Sequence, residues 1–224
     1  MSGQPVARGR FITFEGGEGS GKSTQGRLLA ERLAGAGITC RLTREPGGSP
    51  GAEAVRRLLL EERQPFHPLA ESLLFAAARA DHVKTLIEPA LAAGEWVICD
   101  RFIDSTRAYQ GAGRTVAASV IDQLETLAIG ACRPDLTIIL DLDPRLGLTR
   151  ADARRGASGA ADRFEGETLA FHERIRAAFR AIAAAEPARC LLLDATADKA
   201  AVSDRIAARV SDAFGITPGS GAAP

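Results

Sequence analysis

The sequence has 224 residues, of which 46% are hydrophobic and 25% charged, values typical of a globular protein and of one large domain rather than two. Lys and Arg number 28 and so do Asp and Glu, giving a formal charge of zero, so we expect no extended basic surface for DNA or RNA. The chain shows no apolar signal core near its N-terminus and no run of about 20 apolar residues, so we expect no secretion signal, no membrane span and a cytoplasmic location.

Short aliphatic and β-branched runs alternate along the chain with Ala-, Leu- and Arg-rich stretches of helical spacing. The runs predict strands at 11–15, 39–43, 96–100, 136–142 and 190–194. The stretches between them predict helices at 22–35, 51–62, 69–93, 115–130, 144–155, 164–185 and 198–213. This alternation predicts an α/β fold with a five-stranded parallel sheet and helices on both of its faces.

Four cysteines stand singly in mostly apolar segments, with no C-x-x-C pair among Cys40, Cys99, Cys132 and Cys190. This spacing favours reduced thiols over disulfides or a zinc site.

Residues 155–161 read R-G-A-S-G-A-A and predict a mobile flap within a lid over about 147–165. We expect one domain over 10–214, a flexible N-terminus over 1–9 and a disordered tail over 215–224.

A phosphate-binding motif follows the first predicted strand. Residues 16–23 read G-G-E-G-S-G-K-S, which satisfies G-x-x-x-x-G-K-[ST] between a strand and a helix. Backbone N–H groups of such a loop and the N-terminus of the following helix hold phosphate oxygens. Lys22 is suited to the β- and γ-phosphates, and the Ser23 hydroxyl to Mg²⁺. The expected ATP-binding residues are Gly16, Gly17, Glu18, Gly19, Ser20, Gly21, Lys22 and Ser23.

The third predicted strand ends in an acidic and a basic residue, Asp100 and Arg101. A carboxylate at the end of an apolar strand near a phosphate loop is placed to hold hydrated Mg²⁺. The neighbouring guanidinium offers a fork of donors to a second phosphate. The same two residues could equally form a structural ion pair at the strand end. Because no N-K-x-D motif follows the loop, the sequence favours a small phosphotransferase or a P-loop ligase over a switch GTPase.

Four motifs in order along the chain resemble those of the thymidylate kinase family. Residues 97–110 carry an apolar strand followed by D-R-[aromatic], x-x-S and A-Y-Q, residues 43–48 read T-R-E-P-G-G, and residues 74–79 match L-F-x-A-x-R. The family's lid is resembled by Gly147, Leu148, Arg150, Asp162, Arg163 and Glu165. The resemblance covers residues 11–180 and implies a P-loop kinase fold and transfer of the γ-phosphoryl group of ATP to dTMP.

Phe75 and Arg79 lie four residues apart and therefore share one face of a helix. Taken alone, Phe75 reads as a core residue, whereas the resemblance implies that it stacks on thymine and that Arg79 bonds the base. It also implies that Tyr109 crowds the sugar 2′ position and that Glu15 faces the 3′-hydroxyl and the metal region. The implied dTMP-binding residues are Glu15, Pro46, Phe75, Arg79, Arg101, Ser105, Thr106, Tyr109 and Gln110.

The phosphate loop carries no basic residue among its variable positions 17–20. In one variant of the family the catalytic basic residue lies in the lid, and here the lid carries Arg150, Arg154 and Arg155. We favour Arg154 and then Arg150 as catalytic residues, beside Lys22, Arg101 and Glu15. Asp143, followed by a proline, reads as a helix-start residue rather than as a metal ligand.

The sequence therefore predicts an ATP- and Mg²⁺-dependent dTMP kinase, with Ser23 and Asp100 at the metal. Two alternatives stay open: a kinase for another nucleoside or deoxynucleoside monophosphate, and a non-catalytic P-loop protein that regulates a partner through ATP binding. A homodimer is implied by the resemblance alone. We expect no nucleic-acid or membrane partner.

Overall fold

The computed structural model of the chain describes residues 7–61, 65–155 and 164–216, apart from the side chains of residues 154 and 155. Across these residues, five parallel strands form one sheet in the order β2-β3-β1-β4-β5. The strands are β1 Phe11–Glu15, β2 Cys40–Arg44, β3 Trp96–Asp100, β4 Leu136–Asp141 and β5 Cys190–Asp194. The predicted sheet is confirmed, with one-residue differences at the ends of β2 and β4.

The central strand β1 is buried along its whole length, because β3 and β4 pair with it on either side. Phe14 is in register with Asp100 of β3, and Glu15 with Ile139 of β4. The carboxyl ends of the strands therefore meet at one edge of the sheet. Glu15 and Asp100 lie at this edge, where ligands of open α/β sheets bind.

Helices pack on both faces of the sheet, as crossovers between parallel strands require. On one face Ile12 packs in a cluster with Leu29 and Ile206, and on the other Phe11 packs in a cluster with Ile87. The helices are α1 Lys22–Gly35, α2 Pro50–Leu60, α3 Pro68–His82, α4 Glu88–Ala92, α5 Ile103–Thr106, α6 Ala118–Ile129, α7 Pro144–Arg155, α8 Leu169–Ala185 and α9 Lys199–Phe214.

Two wider, π-helical stretches depart from the sequence prediction. Val83–Ile87 separates α3 from α4, so the helix predicted over 69–93 is not regular throughout. Pro89, in the first turn of α4, accounts for the change, because a proline has no N–H to donate and its ring displaces the carbonyl one turn earlier. The second stretch, Arg107–Gly113, follows α5 directly, in a region where the sequence predicted no helix.

Side-chain caps fix where α7 and α8 begin. The Thr168 hydroxyl accepts a hydrogen bond from the Phe171 N–H at 3.3 Å, so α8 starts five residues later than the sequence predicted. Asp143 accepts one from the Arg145 N–H at 2.9 Å, which confirms its prediction as a helix-start residue of α7.

At the amino end of β3, Trp96 packs edge-on against Phe214, with 5.1 Å between the ring centroids. This contact holds the last turn of α9 against the sheet at the end away from Asp100.

All four cysteines carry free thiols. In the part of the chain that the structure describes, no helix has both the length and the apolar character needed to cross a membrane.

Candidate active site

The phosphate loop connects β1 to α1 and packs against the first turns of α7. Gly19 has a φ of +65°, and a Cβ there would collide with the backbone of Gly147. A side chain at Gly147 would in turn meet the carbonyl oxygen of Glu18. The loop and α7 therefore touch backbone to backbone, which only glycines at these positions allow.

Lys22, the first residue of α1, reaches back into this loop and is almost fully buried. Its ammonium group donates to the carbonyl oxygen of Gly17 at 2.7 Å and to the Ser20 hydroxyl at 3.4 Å. Burial and the neighbouring charge of Arg101 lower the pKa of Lys22, although nearby carboxylates oppose them. The loop thus holds a cation whose present acceptors are polar oxygens of the loop itself.

Ser23 and Asp100 meet across the carboxyl edge of the sheet, where the serine hydroxyl donates to the carboxylate. A hydroxyl and a carboxylate are oxygen donors of the kind that Mg²⁺ prefers. Among the described residues there is no group of three or more His, Cys, Asp or Glu side chains able to hold a metal ion. The two oxygens fit a magnesium ion that takes its other ligands from phosphate and water, which is its usual way of binding.

Arg101 follows β3 in the left-handed region, with a φ of +70°, and its N–H donates to Phe14 O at 2.9 Å. This backbone turn directs the guanidinium back to the phosphate loop. There Nη2 lies 2.6 Å from Glu18 Oε1, and Nη1 donates to Gly16 O at 3.2 Å. The group also stacks on the Tyr109 ring at 4.9 Å from its centroid.

Glu18 accepts from two neighbours through one carboxylate oxygen. Oε1 takes the Arg101 contact and a 2.8 Å hydrogen bond from the Tyr109 hydroxyl. Burial raises the pKa of Glu18, but the charges of Arg101 and Lys22 and the Tyr109 hydrogen bond outweigh it and lower the pKa to about 2. Glu18 is therefore an anion at neutral pH, in the middle of the candidate site.

Glu15 lies beneath the site with no exposed surface. Its Oε1 accepts the N–H groups of Phe102 at 2.8 Å and Ser105 at 3.2 Å, and its Oε2 accepts the Ser105 hydroxyl at 2.6 Å. Burial and the charge of Asp104 raise the pKa of Glu15 to about 7, against the opposing Ser105 hydrogen bond. The carboxyl group thus holds the turn that carries Arg101 and Ser105.

A cavity that is partly open to solvent lies beside the phosphate loop, and we call it the central cavity. Every predicted dTMP-binding residue except Glu15 lines it. Its wall is formed by Glu18, Glu45, Pro46, Arg56, Leu60, Phe75, Arg79, Arg101, Ser105, Thr106, Tyr109, Gln110 and Phe164. It joins residues from the loop after β2, from α2 and α3, and from the helical stretch after β3.

Aromatic rings form one side of the central cavity. Phe75 lies 6.2 Å from Phe164 between ring centroids, and Tyr109 meets Phe164 edge-on at 5.5 Å. Tyr109 comes from the π-helical stretch, a kind of local widening that is frequent at functional sites. Phe75 is half-buried rather than a core residue, so part of its ring remains open to a ligand.

Polar groups close the other side. Arg79 is 4% exposed and donates to the Thr106 hydroxyl at 2.9 Å and to the Phe102 carbonyl at 3.0 Å. Gln110 donates to a Glu71 carboxylate oxygen at 2.9 Å. These side chains are fixed before any ligand arrives, which lowers the ordering cost of binding.

The predicted lid arginines are described only in part. Arg150, on α7, donates to the carbonyl oxygen of Ala195 at 3.3 Å, in the loop after β5. The side chains of Arg154 and Arg155 lie outside the described residues, as do residues 156–163 of the predicted lid, residues 1–6 of the N-terminus and residues 217–224 of the tail.

Comparisons with known proteins show the family to which the chain belongs. The family model described as thymidylate kinase matches residues 14–206. A thymidylate kinase of Bradyrhizobium diazoefficiens is 58% identical over 214 residues, which cover 95% of this chain and 93% of the relative. A thymidylate kinase of Afipia carboxidovorans is 62% identical over 200 residues, covering 89% and 87% respectively. The chain belongs to the thymidylate kinase family.

A solved structure of the family has the same fold. The crystal structure of thymidylate kinase from Ehrlichia chaffeensis is similar to this chain with a TM-score of 0.68 and 41% sequence identity. The similarity covers 83% of this chain and 93% of that one. The predicted P-loop kinase fold is thereby confirmed.

Part of the cavity wall in this member of the thymidylate kinase family was not predicted from the sequence. Glu18 was predicted only as a nucleotide-loop residue, yet it lines the central cavity, whereas Glu15 does not. Glu45 and Phe164 also line it and were not among the predicted residues. Glu45 sits inside the T-R-E-P-G-G motif, so the signal for it was present in the sequence, while Phe164 follows the flap and carries no such signal.

Proposed function

We propose that this chain transfers the γ-phosphoryl group of ATP to dTMP and yields ADP and dTDP. The observation that carries the proposal is the central cavity beside the phosphate loop, with Arg101 in contact with the loop and also part of the cavity wall. An acceptor phosphate in this cavity would approach a triphosphate on the loop. Membership of the thymidylate kinase family supports the same reaction.

On the donor side, ATP binds the loop Gly16–Ser23 through backbone N–H groups and the N-terminus of α1. Lys22 exchanges its present acceptor, Gly17 O, for oxygens of the β- and γ-phosphates. That exchange is favourable because a phosphate oxygen carries more negative charge than a carbonyl oxygen. Ser23 and Asp100 would hold Mg²⁺, which when bound to ATP neutralises charge on the phosphates.

On the acceptor side, the thymine ring packs on Phe75 and is read by Arg79, with Thr106 and Gln110 close to it. Arg79 offers a planar fork of donors that suits a carbonyl oxygen of the base. Tyr109 packs against the sugar, which favours deoxyribose. Glu18, on the cavity wall, provides a carboxylate acceptor for a sugar hydroxyl.

The acceptor phosphate lies near Arg101, Ser105 and Pro46. One of its oxygens attacks the γ-phosphorus of ATP, the bond to the β-phosphate oxygen breaks, and ADP leaves. No general base is needed, because the attacking oxygen is already anionic near neutral pH. Glu15 contributes by holding the backbone of Phe102 and the side chain of Ser105, which positions Arg101.

Charge on the moving phosphoryl group is neutralised by Lys22, Arg101 and a lid arginine. We propose Arg154 for the lid position and Arg150 as the second choice. Arg150 would first have to release the carbonyl oxygen of Ala195. Closure of a lid over about 147–165 would also exclude water and so suppress hydrolysis of ATP without acceptor.

We further propose that the enzyme works in the cytoplasm as a homodimer. Exposed leucines support a dimer: on the adjacent helices α3 and α6, Leu73 is 50% exposed and Leu127 is 82% exposed. Apolar side chains left in water on neighbouring helices are typical of a surface that pairs with a second copy.

The test is release of ADP from Mg·ATP with dTMP, dUMP, dCMP, dGMP, AMP and UMP in parallel, with the diphosphate product identified by mass. We expect strong release with dTMP and weaker release with dUMP. The variant Phe75→Ala should lose most activity with dTMP, whereas Leu42→Ala, on an exposed part of β2, should not. Preference for another monophosphate would contradict the assignment of dTMP. No ADP release with any of the six, despite ATP binding, would contradict the kinase reaction.

A further inference from the structure

A chain of buried polar side chains holds the Arg79 guanidinium in place. Only some of these side chains line the central cavity. Arg79 Nε donates to Glu45 Oε2 at 2.7 Å, and both side chains are 4% exposed. The guanidinium also lies over the Phe102 ring, 5.3 Å from its centroid. The Glu45 contact fixes the rotation of the guanidinium plane, because Nε is the donor nearest the aliphatic stem.

The second oxygen of Glu45 is held by His82, the last residue of α3. His82 Nδ1 lies 3.0 Å from Glu45 Oε1, and the imidazole has no exposed surface. An ionised carboxylate only accepts hydrogen bonds, so Nδ1 carries the hydrogen in this contact. One carboxylate therefore connects two residues of α3 that lie three positions apart.

The far side of the imidazole is held by β2. His82 Nε2 lies 2.8 Å from the hydroxyl oxygen of Thr43. Gly48 completes the arrangement, because a Cβ at this glycine would collide with both the imidazole Nε2 and the Thr43 hydroxyl. Three members of the T-R-E-P-G-G motif thus surround His82, although neither Thr43 nor His82 lines the cavity.

We propose that His82 is a positioning residue for the monophosphate site: through Glu45 it fixes the plane of the Arg79 guanidinium against the base of the acceptor. This inference rests on the proposed function, in which Arg79 reads the thymine. His82 touches no reacting group, so we expect its replacement to weaken binding of the monophosphate acceptor. It leaves the ATP site, on the other side of Arg101, unchanged.

Three variants separate positioning from mere structural support. In His82→Asn the amide nitrogen stands near the position of Nδ1 and keeps a donor for Glu45, whereas in His82→Gln it stands near the position of Nε2 and leaves Glu45 without one. Thr43→Val keeps a β-branched shape and the His82–Glu45 contact but removes the hydroxyl. Each variant breaks a buried hydrogen bond, so all three lose stability, but only His82→Gln releases the Glu45 oxygen.

The kinetic readout is KM for dTMP against KM for ATP. We expect His82→Gln to raise KM for dTMP by about 10-fold, the size expected from loss of a hydrogen bond to a charged group, with KM for ATP unchanged. His82→Asn and Thr43→Val should stay close to wild type in both constants. Equal rises in all three variants, in step with their melting temperatures, would overturn the proposal, as would a wild-type KM for dTMP in folded His82→Gln.

A second readout needs no substrate and so separates this inference from the proposed reaction. The Nε–H signal of Arg79 is recorded by NMR in protein labelled with ¹⁵N-arginine and assigned by its absence in Arg79→Lys. We expect a sharp, slowly exchanging signal in wild type, His82→Asn and Thr43→Val, and a broadened or fast-exchanging one in His82→Gln. An unchanged signal in His82→Gln would overturn the positioning role even if dTMP proved not to be the acceptor.

Discussion

Arg101 and Glu18 form an ion pair of 2.6 Å between the turn after β3 and the phosphate loop. In the proposed reaction, the acceptor phosphate approaches the phosphates of ATP beside this pair. We therefore expect an acceptor phosphate to compete with Glu18 for the guanidinium of Arg101. Because Glu18 also accepts the Tyr109 hydroxyl, the carboxylate retains a partner when Arg101 turns to the phosphate.

The first prediction concerns Arg101. Arg101→Ala should lower kcat by about 10²- to 10³-fold, the usual cost of removing one donor from a preorganised charge-stabilising group, while ATP affinity changes little. Coupled ADP release and titration with a fluorescent ATP analogue measure the two quantities. Arg41→Ala is the matched control, since Arg41 forms an ion pair with Glu95 at 2.8 Å on the exposed side of β2. Turnover near the wild-type rate would remove Arg101 from the reaction.

The second prediction concerns stability and the pKa of Glu15, which is raised from 4.5 to about 7 in the folded chain. Between these values the folded chain binds a proton that the unfolded chain has lost, so the contribution of Glu15 to the free energy of unfolding falls as the pH rises through this window. In Glu15→Gln, which cannot ionise, this loss is absent. We expect the free energy of unfolding of wild type to fall, relative to that of the variant, by on the order of 2 kcal/mol as the pH rises from about 5 to about 8.

Urea unfolding of both proteins across this pH range measures that difference. Glu31→Gln, at an exposed position of α1, supplies the baseline for removing a surface carboxylate. A free-energy difference between wild type and Glu15→Gln that stays flat with pH would show that the folded and unfolded chains ionise Glu15 alike.

The third prediction concerns Gly147, which lies outside the phosphate-loop motif. A methyl group in Gly147→Ala meets the carbonyl oxygen of Glu18 and must push the loop and α7 apart. We expect ATP affinity to fall by about 10-fold, because the loop N–H groups lose their alignment on the phosphates. Gly35→Ala is the control, a helical glycine with open space around it. Equal ATP affinity in the two variants would mean that the loop tolerates displacement.

The fourth prediction concerns the proposed dimer. Leu127→Glu places a charge at the most exposed leucine of α6 and should weaken self-association by about 100-fold, as expected for a charge left unpaired in an apolar interface. Light scattering after size exclusion measures the mass across a dilution series. Leu42→Glu, at a 49% exposed position of β2, should leave the mass unchanged. A wild-type chain that runs as a monomer, or a Leu127→Glu chain that stays dimeric, would contradict the proposed surface.

Residues that act through neighbours along the chain could be predicted from the sequence. The strand Trp96–Asp100 is a buried apolar run and was predicted with its observed bounds, and the phosphate-loop motif could be found because it lies in consecutive residues, 16–23. The π-helical stretch Arg107–Gly113 was not predicted, because it depends on packing against the helices around the cavity rather than on a periodic pattern.

Contacts between distant segments account for the rest. Glu15 and Glu18 stand at either end of one short turn, and nothing in their spacing tells which carboxylate lies under the sheet edge and which forms the cavity wall. His82 is 37 residues from Glu45, and a lone histidine on a helix gives no sign of its partner. Such pairings are set by the sheet order and by the angle between helices, which a linear pattern does not encode.

The aromatic residues of the chain are distributed so that two optical signals are separate. Its single tryptophan, Trp96, lies at the amino end of β3 against Phe214, while its single tyrosine, Tyr109, stacks on Arg101 at the carboxyl edge. Emission of the indole therefore reports whether the C-terminal helix is docked, and a tyrosine difference spectrum reports what happens beside the phosphate loop. Unfolding and ligand binding can be followed in one cuvette without an added dye, each through its own chromophore.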